Sequence, residues 1–120
     1  MQQRKESLLS ELHQWDVYKR LKSSDPQVEK KMDEADWEQL QQRLDNIYDQ
    51  LTKRLLSHAS FSETELRICY LLKINVPLVD IATILYKSKS AITQARKRMY
   101  QKFCGKSGSA EELDELIAQL

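Results

Sequence analysis

The chain has 120 residues, enough for one domain or for one domain with an appended helix. It contains only two glycines and two prolines, where average usage gives about fourteen of the two together. Because sandwiches and barrels need many turn residues, an all-β architecture is excluded. Charged residues make up 31% of the chain, but the net charge is only +1, which by itself indicates no affinity for nucleic acid.

Targeting and compartment signals are absent from the sequence. The two cysteines are too few for a disulfide scaffold. No apolar run approaches the length of about 18 residues that a membrane span needs, and the N-terminus lacks the apolar stretch of a signal peptide. We therefore expect a mostly helical cytoplasmic protein without membrane contact.

The first half of the chain predicts two long helices on either side of Pro26, because apolar residues recur there every three or four positions. The first stripe consists of Leu8, Leu12, Trp15, Tyr18 and Leu21. The second consists of Trp37, Leu40, Leu44, Ile47, Leu51 and Leu55. A lone helix of about 33 Å gains little stability. Residues 1–57 are therefore predicted to form a coiled-coil-prone helical segment that packs on itself or pairs with a second copy.

Shorter helices are predicted in residues 58–120. Ser62 and Glu65 have the spacing of a capping box, and Phe61 can pack on Leu66 as a hydrophobic staple, so a helix begins here. It is predicted to end near Asn75, a residue type that tolerates the left-handed conformation.

Three further helices follow. Pro77 opens a short one, Ser88 caps the next, and Ser109 with Glu112 forms a second capping box for the last. The apolar stripe of the third helix is Ile92, Ala95, Met99 and Phe103, and that of the last is Leu113, Leu116, Ile117 and Leu120.

The near-zero net charge conceals a strong segregation of charge. Residues 1–60 and 61–86 each carry a net charge of −1, whereas residues 110–120 carry four acids and no base. Residues 87–109 carry seven bases and no acid: Lys87, Lys89, Arg96, Lys97, Arg98, Lys102 and Lys106. A solvated helix face is the simplest explanation of a charge run, but such a face usually mixes acids with bases.

The position of the basic block favours DNA binding. It lies on the second of two helices joined by a tight connection, and in helix-turn-helix proteins that helix enters the major groove. The surface opposite its apolar stripe offers hydrogen-bonding and cationic side chains, the chemistry that base reading requires. This surface consists of Lys89, Ser90, Thr93, Gln94, Lys97 and Gln101.

Four dispersed motifs resemble the LuxR/NarL-type DNA-binding domain: FSETEL at 61–66, DIATIL at 80–85, SKSAI at 88–92 and MYQKF at 99–103. The resemblance covers roughly residues 61–104 and is greatest to the C-terminal domain of bacterial regulators that carry tetratricopeptide repeats. The sequence departs from the family pattern in four places. Asn75 replaces a glycine, Tyr86 and Lys87 form a turn without glycine, and Ala91 and Ala95 replace a threonine and a histidine.

The resemblance implies a four-helix LuxR-like domain whose base-reading residues fall on Thr93, Gln94 and Lys97, three positions that the helical wheel also selects. Gln94 can pair with adenine and Lys97 with guanine. The expected phosphate contacts, which fix register without reading sequence, are Lys89, Ser90, Arg98, Lys102 and Lys106. Arg96 lies beside the apolar stripe, and we expect it to pair with Glu65.

Enzymatic and metal chemistry are not indicated. No nucleophile–base set is visible, and no Cys or His pair has the spacing of metal ligands. Cys69 has the surroundings of a core residue, and the GKS at 105–107 lacks the upstream glycine and strand of a phosphate-binding loop. We therefore expect no enzyme, no cofactor and no metal.

The sequence thus predicts a bacterial transcription regulator that binds double-stranded DNA as a homodimer, through the 113–120 helix or the 1–24 helix. Either the chain is the output part of a larger regulator with an upstream sensory region, or its signal arrives through a partner. Two alternatives stay open. One is a promoter-binding module like region 4 of a sigma factor, and the other is a helical module that binds an acidic protein.

Overall fold

The computed structural model describes the backbone of residues 2–120 and the side chains of residues 4–120. Over these residues the protein is all-α, with eight helices and no strand, which confirms the all-α part of the predicted fold class. The helices are α1 (Gln2–Gln14), α2 (Asp16–Lys22), α3 (Glu34–Ile47), α4 (Leu51–His58), α5 (Glu63–Lys73), α6 (Leu78–Ile84), α7 (Lys89–Cys104) and α8 (Ala110–Ala118). None of them is long and apolar enough to cross a bilayer.

The chain forms two compact units, of which the first ends at Leu51 and the second runs from Thr52 to Leu120. The boundary therefore lies after the first residue of α4, earlier than the sequence division between residues 57 and 58. Contacts within the second unit explain why α4 belongs there. The hydroxyl of Thr52 shares a buried 2.7 Å hydrogen bond with Tyr70 of α5, and Leu55 is fully buried.

In the first unit, α1 packs against α3, so the first helix finds its apolar partner within the chain. The predicted single helix up to residue 22 is wrong, because Trp15 adopts an extended conformation (φ −68°, ψ 130°) between α1 and α2. The ring of Trp15 lies 4.6 Å from the Arg43 guanidinium, a cation–π contact. The break also changes the register of the buried face, which contains Leu12, Val17 and Leu21.

The second predicted long helix is also divided. Asp49 and Gln50 are left-handed (φ 50° and 57°) between α3 and α4, and the Gln50 N–H donates to the Asp45 carbonyl at 2.8 Å. This bond closes the end of α3 as in a Schellman motif, without a glycine. The first half of the chain is therefore mostly helical, but it does not contain the two uninterrupted helices that the apolar stripes predict.

The start of α5 confirms the predicted capping box. The Glu65 N–H donates to Ser62 Oγ at 3.1 Å, and the Ser62 N–H donates to Glu65 Oε1 at 2.8 Å. Helix α5 ends as predicted with Asn75 in the left-handed conformation (φ 60°), where the Val76 N–H donates to the Leu71 carbonyl. These caps fix both ends of the helix on which α7 and α8 pack.

Helix α8 is part of the core of the second unit. Its Leu113 and Ile117 are completely buried, in a helix that packs on α5 and α7. Basic side chains satisfy carbonyls at its negative end, since Lys73 Nζ donates to Ala118 O at 3.0 Å and Arg54 Nη2 donates to Leu120 O at 2.9 Å. Leu113 and Ile117 are two of the four apolar residues predicted as a dimer surface, and both are therefore buried within a single chain.

Candidate nucleic-acid interface

The basic block lies on α7, which begins where the sequence predicts. Ser88 Oγ accepts the Ala91 N–H at 3.0 Å and caps the helix. The inward face of α7 packs on α5, α6 and α8. The buried residues of this face are Ile92, Ala95, Arg96, Met99 and Tyr100, while Phe103 of the predicted stripe is half-buried and stacks on His58 at 4.2 Å between ring centroids.

The predicted base-reading residues occupy the outward part of α7. Gln94 and Lys97 are exposed, and Thr93 is half-buried at the edge of the buried face. At 100° per residue, Gln94 and Lys97 project away from Ile92 and Met99. The three residues lie within about one turn of each other, near the middle of the helix. This arrangement brings together the hydrogen-bonding groups that the wheel selected.

Four of the five residues expected to contact phosphate are exposed and free to do so. Lys89, Ser90 and Arg98 lie on α7 and have no ion-pair partner among the described residues. Lys106 follows the helix, is exposed, and lies close enough to Glu112 to help lower the pKa of that carboxyl, after the larger effect of the Ser109 backbone hydrogen bond. Lys89, at the start of α7, adds its charge to the positive end of the helix dipole.

Lys102 is engaged inside the protein. Its ammonium contacts Glu65 Oε1 at 2.8 Å and the Ser60 carbonyl at 3.2 Å, although the side chain remains 41% exposed. Burial of Glu65 acts to raise its pKa, but hydrogen bonds from Lys102 and Ser62, together with the Lys102 charge, lower it below its ordinary value. Lys102 thus joins α7 to the start of α5 and is not an unpaired cation like Lys89.

The expected pairing of Arg96 with Glu65 is wrong. Arg96 is buried, as its place beside the stripe predicts, but its guanidinium forms a bidentate ion pair with Asp114 of α8. One of these bonds runs from Nε to Oδ1 at 3.0 Å. Arg96 and Lys102 are six positions apart, which puts them about 120° apart around α7. They therefore face different neighbours, Arg96 towards α8 and Lys102 towards α5.

Sequence reasoning missed the turn between α6 and α7 as part of this surface. Tyr86 is left-handed (φ 56°), the Tyr86 N–H donates to Thr83 O at 3.2 Å, and the Lys87 N–H donates to Ala82 O at 2.9 Å. This pattern is a Schellman motif with a tyrosine where glycine is usual. The Tyr86 side chain is 80% exposed, the highest value among the exposed large apolar residues. The sequence signal that could have drawn attention to this turn is its lack of a glycine.

The two cysteines of the chain differ in exposure. Cys69 is fully buried, and burial together with the Glu65 charge raises the pKa of its thiol to about 12, so it stays protonated as a core residue. Cys104 is an exposed thiol at the end of α7. No group of three or more His, Cys, Asp or Glu side chains that could hold a metal ion occurs within the described part of the chain.

A small cleft of about 250 Å³ lies on the inward side of α7. Its walls are mostly apolar, and its charged groups are Arg96 and Asp114, which pair with each other. The geometry around α7 therefore places the accessible polar chemistry on its outward face.

Comparison of this chain with models of protein families, with curated proteins and with solved structures yields no match. The geometry of α6, α7 and the turn between them is accordingly the basis for the functional interpretation.

Proposed function

We propose that this protein is a transcription regulator that binds duplex DNA with α7 in the major groove. The observation that carries the proposal is the separation of the two faces of α7. The inward face is buried, whereas the outward face is exposed and cationic, within a segment of residues 87–109 that has seven bases and no acid. A helix preceded by a short helix and a tight turn is how helix-turn-helix proteins present side chains to base edges.

The distribution of free and paired cations supports contact with a polyanion. Lys89, Lys97 and Arg98 keep their charges unpaired on the outward side, while Arg96 and Lys102 are held by Asp114 and Glu65. Unpaired surface cations release counterions from DNA when they bind phosphates, which is the main source of affinity for any duplex. The inward ion pairs hold α7 against α5 and α8 so that the outward side chains are presented from a fixed helix.

Sequence specificity is assigned to Gln94 and Lys97, with Thr93 at the edge of the contact. The side-chain amide of a glutamine can accept from adenine N6 and donate to adenine N7, and a lysine can donate to guanine O6 and N7. Lys89, Ser90 and Arg98 are assigned to the phosphate backbone, with Lys106 beyond the end of the helix.

Two copies of the chain are proposed to bind paired half-sites, because one recognition helix reads only a few base pairs. Leu113 and Ile117 of the last helix are buried within the chain, and so are Leu12 and Leu21 of the 1–24 segment. Pairing through either segment would therefore use half-buried residues, such as Leu116 or Leu8. Light scattering of the full chain, free and with a selected duplex, measures the stoichiometry. A mass of one chain per duplex contradicts pairing.

Selection of bound sites from random duplexes, followed by affinity measurements for Lys97→Ala, tests the assignment of base reading. We expect the variant to lose about 1–3 kcal/mol on the selected site and to relax the preference at one position. Lys53→Ala, which removes an exposed charge from α4, is the matched control. Equal weakening of Lys97→Ala on all duplexes would assign Lys97 to the backbone, and the absence of any selected motif would contradict specific recognition.

A further inference from the structure

The turn that precedes α7 holds Tyr86, a bulky residue, in the left-handed conformation (φ 56°). A left-handed conformation costs an ordinary residue about 1–2 kcal/mol. The ends of α5 and α7 use Asn75 and Gly105 at their left-handed positions, residue types that reduce this cost. Tyr86 is the one aromatic residue with positive φ among residues 2–120.

Burial does not offset this cost. A tyrosine stabilises a fold when its ring leaves water, but the Tyr86 side chain is 80% exposed. Residues that are held in sparsely populated conformations without a packing role cluster at functional sites, where the surrounding structure maintains them. Here the Schellman bonds of Tyr86 to Thr83 and of Lys87 to Ala82 maintain it.

The charge around the turn defines the partner. Lys87 and Lys89 flank the α7 cap at Ser88, neither has an acidic partner within the described residues, and no acid occurs between Asp80 and Glu111. The partner of such a surface is anionic. A phenol ring contributes a flat apolar face and a hydroxyl donor, which match a deoxyribose and the phosphate beside it.

We propose that Tyr86 is a DNA-backbone contact, in which its ring packs on a sugar and its hydroxyl donates to a phosphate next to the groove that α7 enters. This inference rests on the proposed function and deepens it, since it adds a neutral anchor to the cationic contacts of α7. The anchor fixes the position of the first turn of α7, and it reads no base itself.

The test uses the full chain and a random-sequence duplex, with affinity measured by fluorescence anisotropy at several salt concentrations. We expect Tyr86→Phe, which removes only the hydroxyl, to weaken binding about tenfold. Because a phenol is uncharged, the dependence of affinity on salt should not change. Lys87→Ala, the neighbouring charged control, should instead reduce the log–log salt slope by about 0.9.

A second variant separates binding from folding. Tyr86→Asn removes the ring but tolerates the left-handed conformation, so we expect its melting temperature to equal or exceed that of the unaltered chain while its affinity falls at least as far as that of Tyr86→Phe. Affinity of Tyr86→Asn within twofold of the unaltered chain, or a lower melting temperature, would overturn the inference while leaving the proposed function intact. Failure of the unaltered chain to bind any duplex would overturn both.

Discussion

Glu65 engages one of the α7 cations, Lys102, in an ion pair within the second unit. Glu65 is buried in the first turn of α5, accepts the Ser62 N–H and contacts Lys102 at 2.8 Å. Glu63 in the same turn is 75% exposed and pairs with Arg67 at 2.7 Å. The two glutamates differ mainly in burial. We expect the exposed pair of Glu63 with Arg67 to contribute little to stability.

Glu65→Gln is predicted to reduce the free energy of unfolding by about 1–3 kcal/mol at pH 7, because it removes a charged hydrogen bond from a buried site. The folded-state pKa of Glu65 is lowered, so its contribution is fully present above the ordinary value of 4.5 and is lost as pH falls through the lower folded value. Denaturant unfolding of both proteins should therefore converge in acid. Glu63→Gln is the control, and a difference between wild type and Glu65→Gln that persists unchanged at pH 3 would contradict this role.

The docking of α8 depends on close contact with α7. The loop before α8 passes so near the ring of Tyr100 that a Cβ on Gly108 would lie 2.2 Å from Tyr100 Cε1. The Tyr100 hydroxyl bonds Glu112, and this bond, together with burial, raises the pKa of Tyr100 to about 12. Glu112 also closes the predicted capping box with Ser109, whose Oγ accepts its N–H at 3.1 Å. Residues at one end of α8 therefore align it on α7.

Gly108→Ala is predicted to destabilise the protein by about 1–3 kcal/mol, because the added methyl displaces the Tyr100 ring. A double-mutant cycle with Tyr100→Ala should recover most of this loss. Gly105→Ala is the control, since its Cβ meets nothing within 4 Å and its cost comes from a left-handed backbone (φ 74°). Gly105→Ala should add to Tyr100→Ala without coupling. Additivity of Gly108→Ala with Tyr100→Ala in thermal unfolding would show that the contact does not matter.

Local chemistry made the helix starts of the second unit predictable. Ser62, Ser88 and Ser109 each accept the backbone N–H that capping predicts, and Pro77 precedes α6. These contacts depend only on neighbours in sequence. The exposed outward face of α7 was predictable for the same reason, because one helix period determines it.

Tertiary contacts determined the features that the sequence did not reveal. The break at Trp15 depends on packing in the first unit and is marked by neither glycine nor proline. The pairing of Arg96 with Asp114 depends on where α8 packs, since two acids were within plausible reach of α7 and periodicity cannot choose between them. The burial of Leu113 within one chain likewise follows from where α8 packs. Long-range partners thus required the structure.

Across the whole molecule, charge is divided between the two compact units. Residues 1–51 carry a net charge of −3, and residues 52–120 carry +4. Within the second unit the positive charge is concentrated on α7, while the acids of α8 are partly used in holding α7. The net charge of +1 therefore says little about partners, because electrostatic attraction depends on the local distribution.

The most direct test of DNA binding is the affinity of the full chain for a random duplex between about 50 and 200 mM salt. About four charged phosphate contacts per chain, from Lys87, Lys89, Arg98 and Lys106, predict a log–log slope of about −3.6, and Arg98→Ala should make that slope less steep by about 0.9. No detectable binding at about 50 mM salt, or an affinity that does not change with salt, would contradict a cationic α7 that binds DNA.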